Sequence, residues 1–171
     1  MLKNVDKINN YLNKWLRKNG FRCSVQMDND FSFDIVNDVI HYSIIIPSSH
    51  NELFLKVCQE CREEIVECDN FILSFFHELG HYETKDLFDD EWDEYDRSCE
   101  QLESKEEYTD EDYLNYYKYP LEIEATQWGC DYIVEHRRKV NNWWNGLSAL
   151  IEEFVEVNNI ELEEELNQKD I

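Results

Sequence analysis

Residues 70 to 76 read Asn-Phe-Ile-Leu-Ser-Phe-Phe and run without Pro or Gly into His77-Glu78-Leu79-Gly80-His81. A segment this apolar has the length and composition of a buried helix, so the rest of the chain must supply the core around it. On that helix, two imidazoles four residues apart stand one turn above each other, and the Glu between them reaches the same space. This spacing suits two ligands of a Zn²⁺ ion, with Glu78 as a general base acting on water. A core helix with two hydrogen-bonded His and a solvent-facing Glu is the other reading.

A third ligand separates the two. Zinc sites that do chemistry use three protein ligands and keep the fourth position for water. Glu122 follows His81 by forty-one residues, in Pro120-Leu121-Glu122-Ile123-Glu124-Ala125-Thr126-Gln127-Trp128-Gly129-Cys130. Pro120 is placed to open a helix whose first turn holds Glu122. A His-Glu-x-x-His helix followed by a helix starting Glu-x-x-Ala-Thr resembles the gluzincin metallopeptidases, most closely the small ImmA/IrrE type.

The resemblance implies that His77, His81 and Glu122 hold Zn²⁺ and that Glu78 is the catalytic base of a zinc-dependent endopeptidase. It also implies that Thr126 supports a ligand His, in a place usually taken by Asp or Asn. Glu124 lies about 200° from Glu122 around one helix, so the two cannot both face the metal, and the family pattern selects Glu122. The expected substrate is a specific cytoplasmic regulatory protein.

With 39 acidic residues against 16 basic ones, the chain carries a formal charge of -23. Such a field repels nucleic acid and favours a basic or DNA-binding protein as partner. It also admits a different function, in which an acidic zincin-like protein acts as a decoy or inhibitor with little peptidase activity. A non-peptide zinc hydrolase is a third reading, although the additional ligand motifs of a peptide deformylase are not visible. The one basic cluster, Arg137-Arg138-Lys139, reads as a cap on the C-terminal end of its helix. Fourteen acidic residues fall between Asp86 and Asp112 against only Arg97 and Lys105. This acidic insertion, about 86–112, reads as a solvated loop or exposed helix, with a site that recruits a basic substrate as the alternative and a disordered or mobile lid as a further one.

No apolar run approaches the length of a membrane span, and the N-terminus has no signal-peptide pattern, so a cytoplasmic protein with free thiols is expected. Six Cys are present. Cys58-x-x-Cys61 lacks a second such pair and shares a helix face with Cys68, which favours a buried stripe over a second metal site or a redox motif.

The chain reads as one domain over residues 1–171, ending in an acidic tail at about 158–171. Helical spacing covers 2–18 and stops at Asn19-Gly20, after which a period of two marks strands at 21–27, 31–35 and 40–46. Short connections predict an antiparallel meander, with Ile40 to Ile46 as an edge strand that could hold extended substrate. Helices are expected at 51–67, 69–83 and 120–139, followed by a last amphipathic helix containing Trp144, Leu147, Ile151, Phe154 and Val155. The fold class is therefore α+β, a minimal zincin-like arrangement of helices on a small sheet. For an oxyanion donor, Tyr113, Tyr116, Tyr117 and Tyr119 precede the ligand helix, with packing as their alternative role. His136 lies about 21 Å along a continuous helix from Glu122 and is too distant. His41 and His50 flank the third strand and receive no role.

Overall fold

The computed structural model describes residues 1–28, 33–45, 51–88 and 92–160, leaving aside the side chains of 88 and 92–94. In chain order these form α1 (Val5–Lys18), β1 (Ser24–Met27), β2 (Phe33–Val36), β3 (Val39–Tyr42), α2 (Asn51–Cys61) and α3 (Asn70–Thr84). After a 3-10 turn at Lys85–Phe88 come α4 (Trp92–Glu103), α5 (Asp110–Tyr116), α6 (Pro120–Glu135) and α7 (Arg137–Asn158). The fold is α+β, as the change of hydrophobic period implied.

Helix α1 buries Ile8, Leu12 and Leu16 and stops where Gly20 turns left-handed at φ 84°. Phe21 then donates its N–H to the Leu16 carbonyl at 3.0 Å, which closes the helix end. Helix α7 lies against α1. Tyr11 donates to the Trp143 carbonyl at 2.9 Å, and Lys3 donates its backbone N–H to Asn158 Oδ1 at 2.8 Å near the other end. Between this pair and α3, Trp15, Phe75, Phe76 and Trp143 pack edge-on or tilted with ring centroids 5.0 to 6.3 Å apart.

The sheet is mixed, with order β1-β3-β2, which corrects the antiparallel meander. β2 and β3 form the expected hairpin around Asn37-Asp38, both at positive φ, whereas β1 pairs parallel with β3. Burial explains the order. Ile40 and Tyr42 of β3 are wholly buried, so that strand takes the centre, and the half-exposed β2 takes the edge. The outer edge of β1 is occupied by side chains of α1: Asn13 bonds both the N–H and C=O of Val25, and Asn9 accepts from Met27 N–H. The strand read as an edge, Ile40 to Ile46, is therefore central over its described part and is regular only to Tyr42. Ile46 and the Pro47-Ser48-Ser49 stop lie outside the described residues, as do Phe31 and His50.

Two predicted helices are shorter than their sequence pattern. α2 ends at Cys61, where Arg62 bonds Glu64 and Asp131 and the chain turns to bury Ile65. α6 ends at Glu135, and Arg137-Arg138-Lys139 opens α7 rather than closing α6. Arg137 there donates to the Glu64 carbonyl at 3.1 Å. All six Cys are free; Cys58 and Cys61 adjoin Cys130 between α2 and α6, whereas Cys68 lies beyond the end of α2 and does not share their helix face, and of the three expected in a stripe only Cys58 is fully buried. Among the described residues, no helix is long and apolar enough to cross a membrane.

Candidate metal centre

Helix α3 runs through the middle of the molecule, with every residue from Ile72 to His81 buried. Its start is set by Asp69, whose carboxylate accepts from Phe71 N–H at 2.8 Å. Helix α6 starts at Pro120 and lies directly against α3. The approach is closest at two glycines. A Cβ on Gly80 would sit 2.2 Å from the Ala125 carbonyl oxygen, and one on Gly129 would sit 2.7 Å from that of Phe76. With no side chain at either crossing point, the first turn of α6 reaches the His77–His81 turn of α3.

This contact brings His77, His81 and Glu122 together, a buried group whose ligand atoms all lie within 4.8 Å of one another. His77 Nε2 is 3.1 Å from His81 Nε2 and 2.9 Å from Glu122 Oε2, and His81 Nε2 is 3.3 Å from Glu122 Oε1. Ligands held about 2.0–2.1 Å from a tetrahedral metal stand about 3.3 Å from each other. The three separations thus fit one four-coordinate ion.

Hydrogen bonding orients the donors. Thr126 donates its hydroxyl to the Glu122 carbonyl at 2.7 Å, so at 3.0 Å from His77 Nδ1 its oxygen acts as the acceptor. That places the His77 proton on Nδ1 and leaves a lone pair on Nε2. Glu122 Oε2 is buried without a hydrogen-bond partner, although His77 Nε2 is so near. Two acceptors facing each other across 2.9 Å are the arrangement a cation relieves, so the donor set fits a metal.

The charges agree with this geometry. Burial alone would raise the Glu122 carboxyl, yet the charge of His81 beside it holds it well below the usual carboxylate range. Burial alone would lower His81, but Glu122 more than reverses that and pushes it up to about 9. In the metal-free protein, a proton on His81 Nε2 therefore occupies the space between the ligand atoms. Burial also raises the Glu78 carboxyl, against the opposing charge of His81.

Other expected residues are placed differently. Glu124 is exposed, leaving Glu122 alone at the site. His41 sits on the central strand, 3.4 Å from Asp28. His136 stacks on Tyr132 at 4.2 Å and lines a separate cleft of about 580 Å³ with Trp15, Lys18 and Trp143. Of the four tyrosines, Tyr116 and Tyr117 lie nearest, Tyr117 with its ring 6.1 Å from His77. Sequence reasoning missed two neighbours. Tyr95 of α4 donates its hydroxyl to Glu122 Oε1 at 2.5 Å and shares a 3.0 Å hydrogen bond with Tyr116. Asp34 of the edge strand lies close enough for its charge to act on His81 and Glu78. Neither stands in a recognisable spacing to the motif.

No family model matches the chain, and no curated protein or solved structure matches it.

Proposed function

We propose that the protein is a zinc-dependent hydrolase and, within that class, an endopeptidase of the gluzincin, ImmA/IrrE-like kind. The observation that carries this reading is the tetrahedral spacing of His77, His81 and Glu122 with Glu78 on the same turn. Bound there, Zn²⁺ would supply Lewis acidity and draw the pKa of a water toward about 7. Glu78 takes the proton of the attacking water and returns it to the leaving amine, a task suited to a carboxyl raised by burial. Thr126 holds His77 in the tautomer that leaves Nε2 available. The sheet edge nearest α3 is β2, which replaces β3 as the candidate track for an extended substrate. Its register leaves the Ile35 backbone N–H on the open edge, where Asp34 Oδ1 takes it at 2.8 Å, while the Ile35 side chain packs against the core. A cytoplasmic protein with a basic or DNA-binding surface is the substrate class that the charge of -23 favours.

The test is metal content followed by chemistry. Protein purified without chelators should hold about one zinc per chain, lost in His77→Ala and His81→Ala. Glu78→Gln should keep zinc and fold while abolishing cleavage. Absence of bound metal would sink the proposal.

A second reading, an acidic decoy on the same scaffold, is favoured by the burial of the whole centre: His77, Glu78, His81 and Glu122 are 6%, 8%, 8% and 0% exposed. Full biological effect in Glu78→Gln would favour it.

A further inference from the structure

Strand β2 carries an acid at a position where strands rarely take one. Asp34 stands between Phe33 and Ile35, which both pack against the core, and Asp is among the residues depleted from strands. Its carboxylate turns to the outer edge of the sheet, because Oδ1 accepts the Ile35 N–H that the β2–β3 register leaves unpaired there. Among the described residues no strand adds to that edge, and no ion pair includes Asp34. His41, opposite it in register, is 3.4 Å from Asp28, and Lys85 pairs with Asp38.

The path of β2 sets this edge beside the metal centre. The strand starts at the first turn of α3, where Phe33 packs edge-on against Phe71 at 5.0 Å. The hairpin that follows it ends just past the last turn, where Lys85 donates to Asp38 at 2.8 Å. β2 thus runs in the same direction as α3 and passes the turn that holds His77, Glu78 and His81. The charges agree: His81 and Glu122 act on Asp34, and Asp34 acts on His81 and Glu78. Burial raises the Asp34 carboxyl, so a cation beside it brings more relief than at the open surface.

A peptide added to this edge offers a carbonyl to the Ile35 N–H. That carbonyl replaces Asp34 Oδ1 and releases the carboxylate at the same point. A Lys or Arg side chain of the peptide is the donor that then satisfies it.

We propose that Asp34 is a specificity-determining residue that selects Lys or Arg on the stretch of substrate laid along β2. The proposal rests on the endopeptidase reading above and narrows a general preference for basic proteins to one side chain. An acid on an edge strand also guards against pairing between two copies of a chain. Guarding needs the charge alone, whereas selection needs a particular side chain on the peptide.

The test gives the zinc-loaded full chain a synthetic library of short unstructured peptides, with the products read by mass spectrometry. In the wild type, Lys and Arg should be enriched at one position relative to the cut. Asp34→Asn should lower kcat/KM for those peptides about tenfold, through KM, as expected for losing a hydrogen bond to a charged group. Peptides with a neutral residue at that position should be cut as before. Asp34→Lys should move the preference there to Asp or Glu. Glu152→Gln, which removes an exposed charge from α7, should change nothing. A wild type indifferent to Lys and Arg overturns the proposal, as does an Asp34→Asn variant that slows all peptides alike. So does a variant whose only change is self-association in sedimentation, which leaves Asp34 as an edge guard. If no peptide is cut, the endopeptidase reading fails by itself, and fluorescence anisotropy of labelled Lys-containing peptides on the metal-free chain decides the subsite. Binding about tenfold weaker in Asp34→Asn upholds it, and equal or undetectable binding overturns it.

Discussion

His81 holds a proton that a metal ion has to displace. Its pKa, raised from an ordinary 6.5 to about 9 by the Glu122 carboxylate against the opposing effect of burial, sets the sign. In the metal-free protein, the stability that the raised His81 contributes is fully present below about 6.5 and is lost as the pH rises through about 9. Metal binding runs the other way. Near pH 7.5, close to one proton should leave per zinc bound, and affinity should rise with pH until it levels above about 9. Calorimetric titration in two buffers of different ionisation enthalpy measures that proton, and binding with no proton release would contradict the assignment. Thr126 gives a second test. Thr126→Val keeps the shape but removes the acceptor from His77 Nδ1, and should weaken zinc binding about 10–100-fold. Thr126→Ser should restore most of the affinity. That His77, Glu78 and His81 share one turn of a helix was legible because a period of four on a helix is a local rule. Glu122 needed the second motif, and the Thr126 hydrogen bond became visible only with the helices in place, since its Oγ joins residues 49 positions apart.

The meeting of α3 and α6 is decided by Gly80 and Gly129. Gly→Ala in an open helix gains about 1 kcal/mol from propensity. At Gly80 the added methyl would lie 2.2 Å from the Ala125 carbonyl oxygen, a backbone atom that gives way only if α6 moves. Overpacking of this kind costs about 1–3 kcal/mol or more, so the contact outweighs the propensity. Gly80→Ala should lower the melting temperature. It should also weaken zinc binding, because α6 carries Glu122 away from the imidazoles; thermal denaturation and zinc titration of the same sample check both. An unchanged melting temperature would mean that the helices do not cross so closely. α1, α3 and the start of α6 were readable from apolar spacing and from local signals such as Gly20, Asp69 and Pro120, whereas α4 was open between loop and exposed helix and α5 was not foreseen, because neither buries an apolar stripe among the described residues. The breaks at Cys61 and Glu135 were not readable, because neither site has a Pro or Gly and both turns depend on distant partners, Asp131 for one and Glu64 for the other. Sheet order was hidden for the same reason. The short connections suggested a meander, but Asn9 and Asn13 of α1 take the outer edge of β1, and Ile40 and Tyr42 demand the centre.

Over the whole molecule, a charge of -23 is self-repulsive, and attractive pairs offset little of it. Described ion pairs include Lys7–Glu153, Lys85–Asp38, Lys105–Asp112 and the Arg62 fork with Glu64 and Asp131, nearly all of them at partly exposed positions. Pairs of that sort contribute about 0–1 kcal/mol each and weaken in salt, whereas repulsion among 39 carboxylates acts over the Debye length throughout the surface. Repulsion should win. The melting temperature should therefore rise as sodium chloride is increased from about 0.02 M to about 0.2 M, which shortens the Debye length from roughly 20 Å to below 10 Å. The rise should level off once that length falls below the spacing between neighbouring carboxylates. Chloride is the anion to use, since sulfate strengthens apolar burial by a separate route. Scanning calorimetry of the metal-free protein at neutral pH, with His77→Ala as a control, separates surface screening from any effect at the buried centre. A melting temperature that fell with salt would show the local pairs outweighing the net charge, and would remove the electrostatic basis for expecting a basic partner.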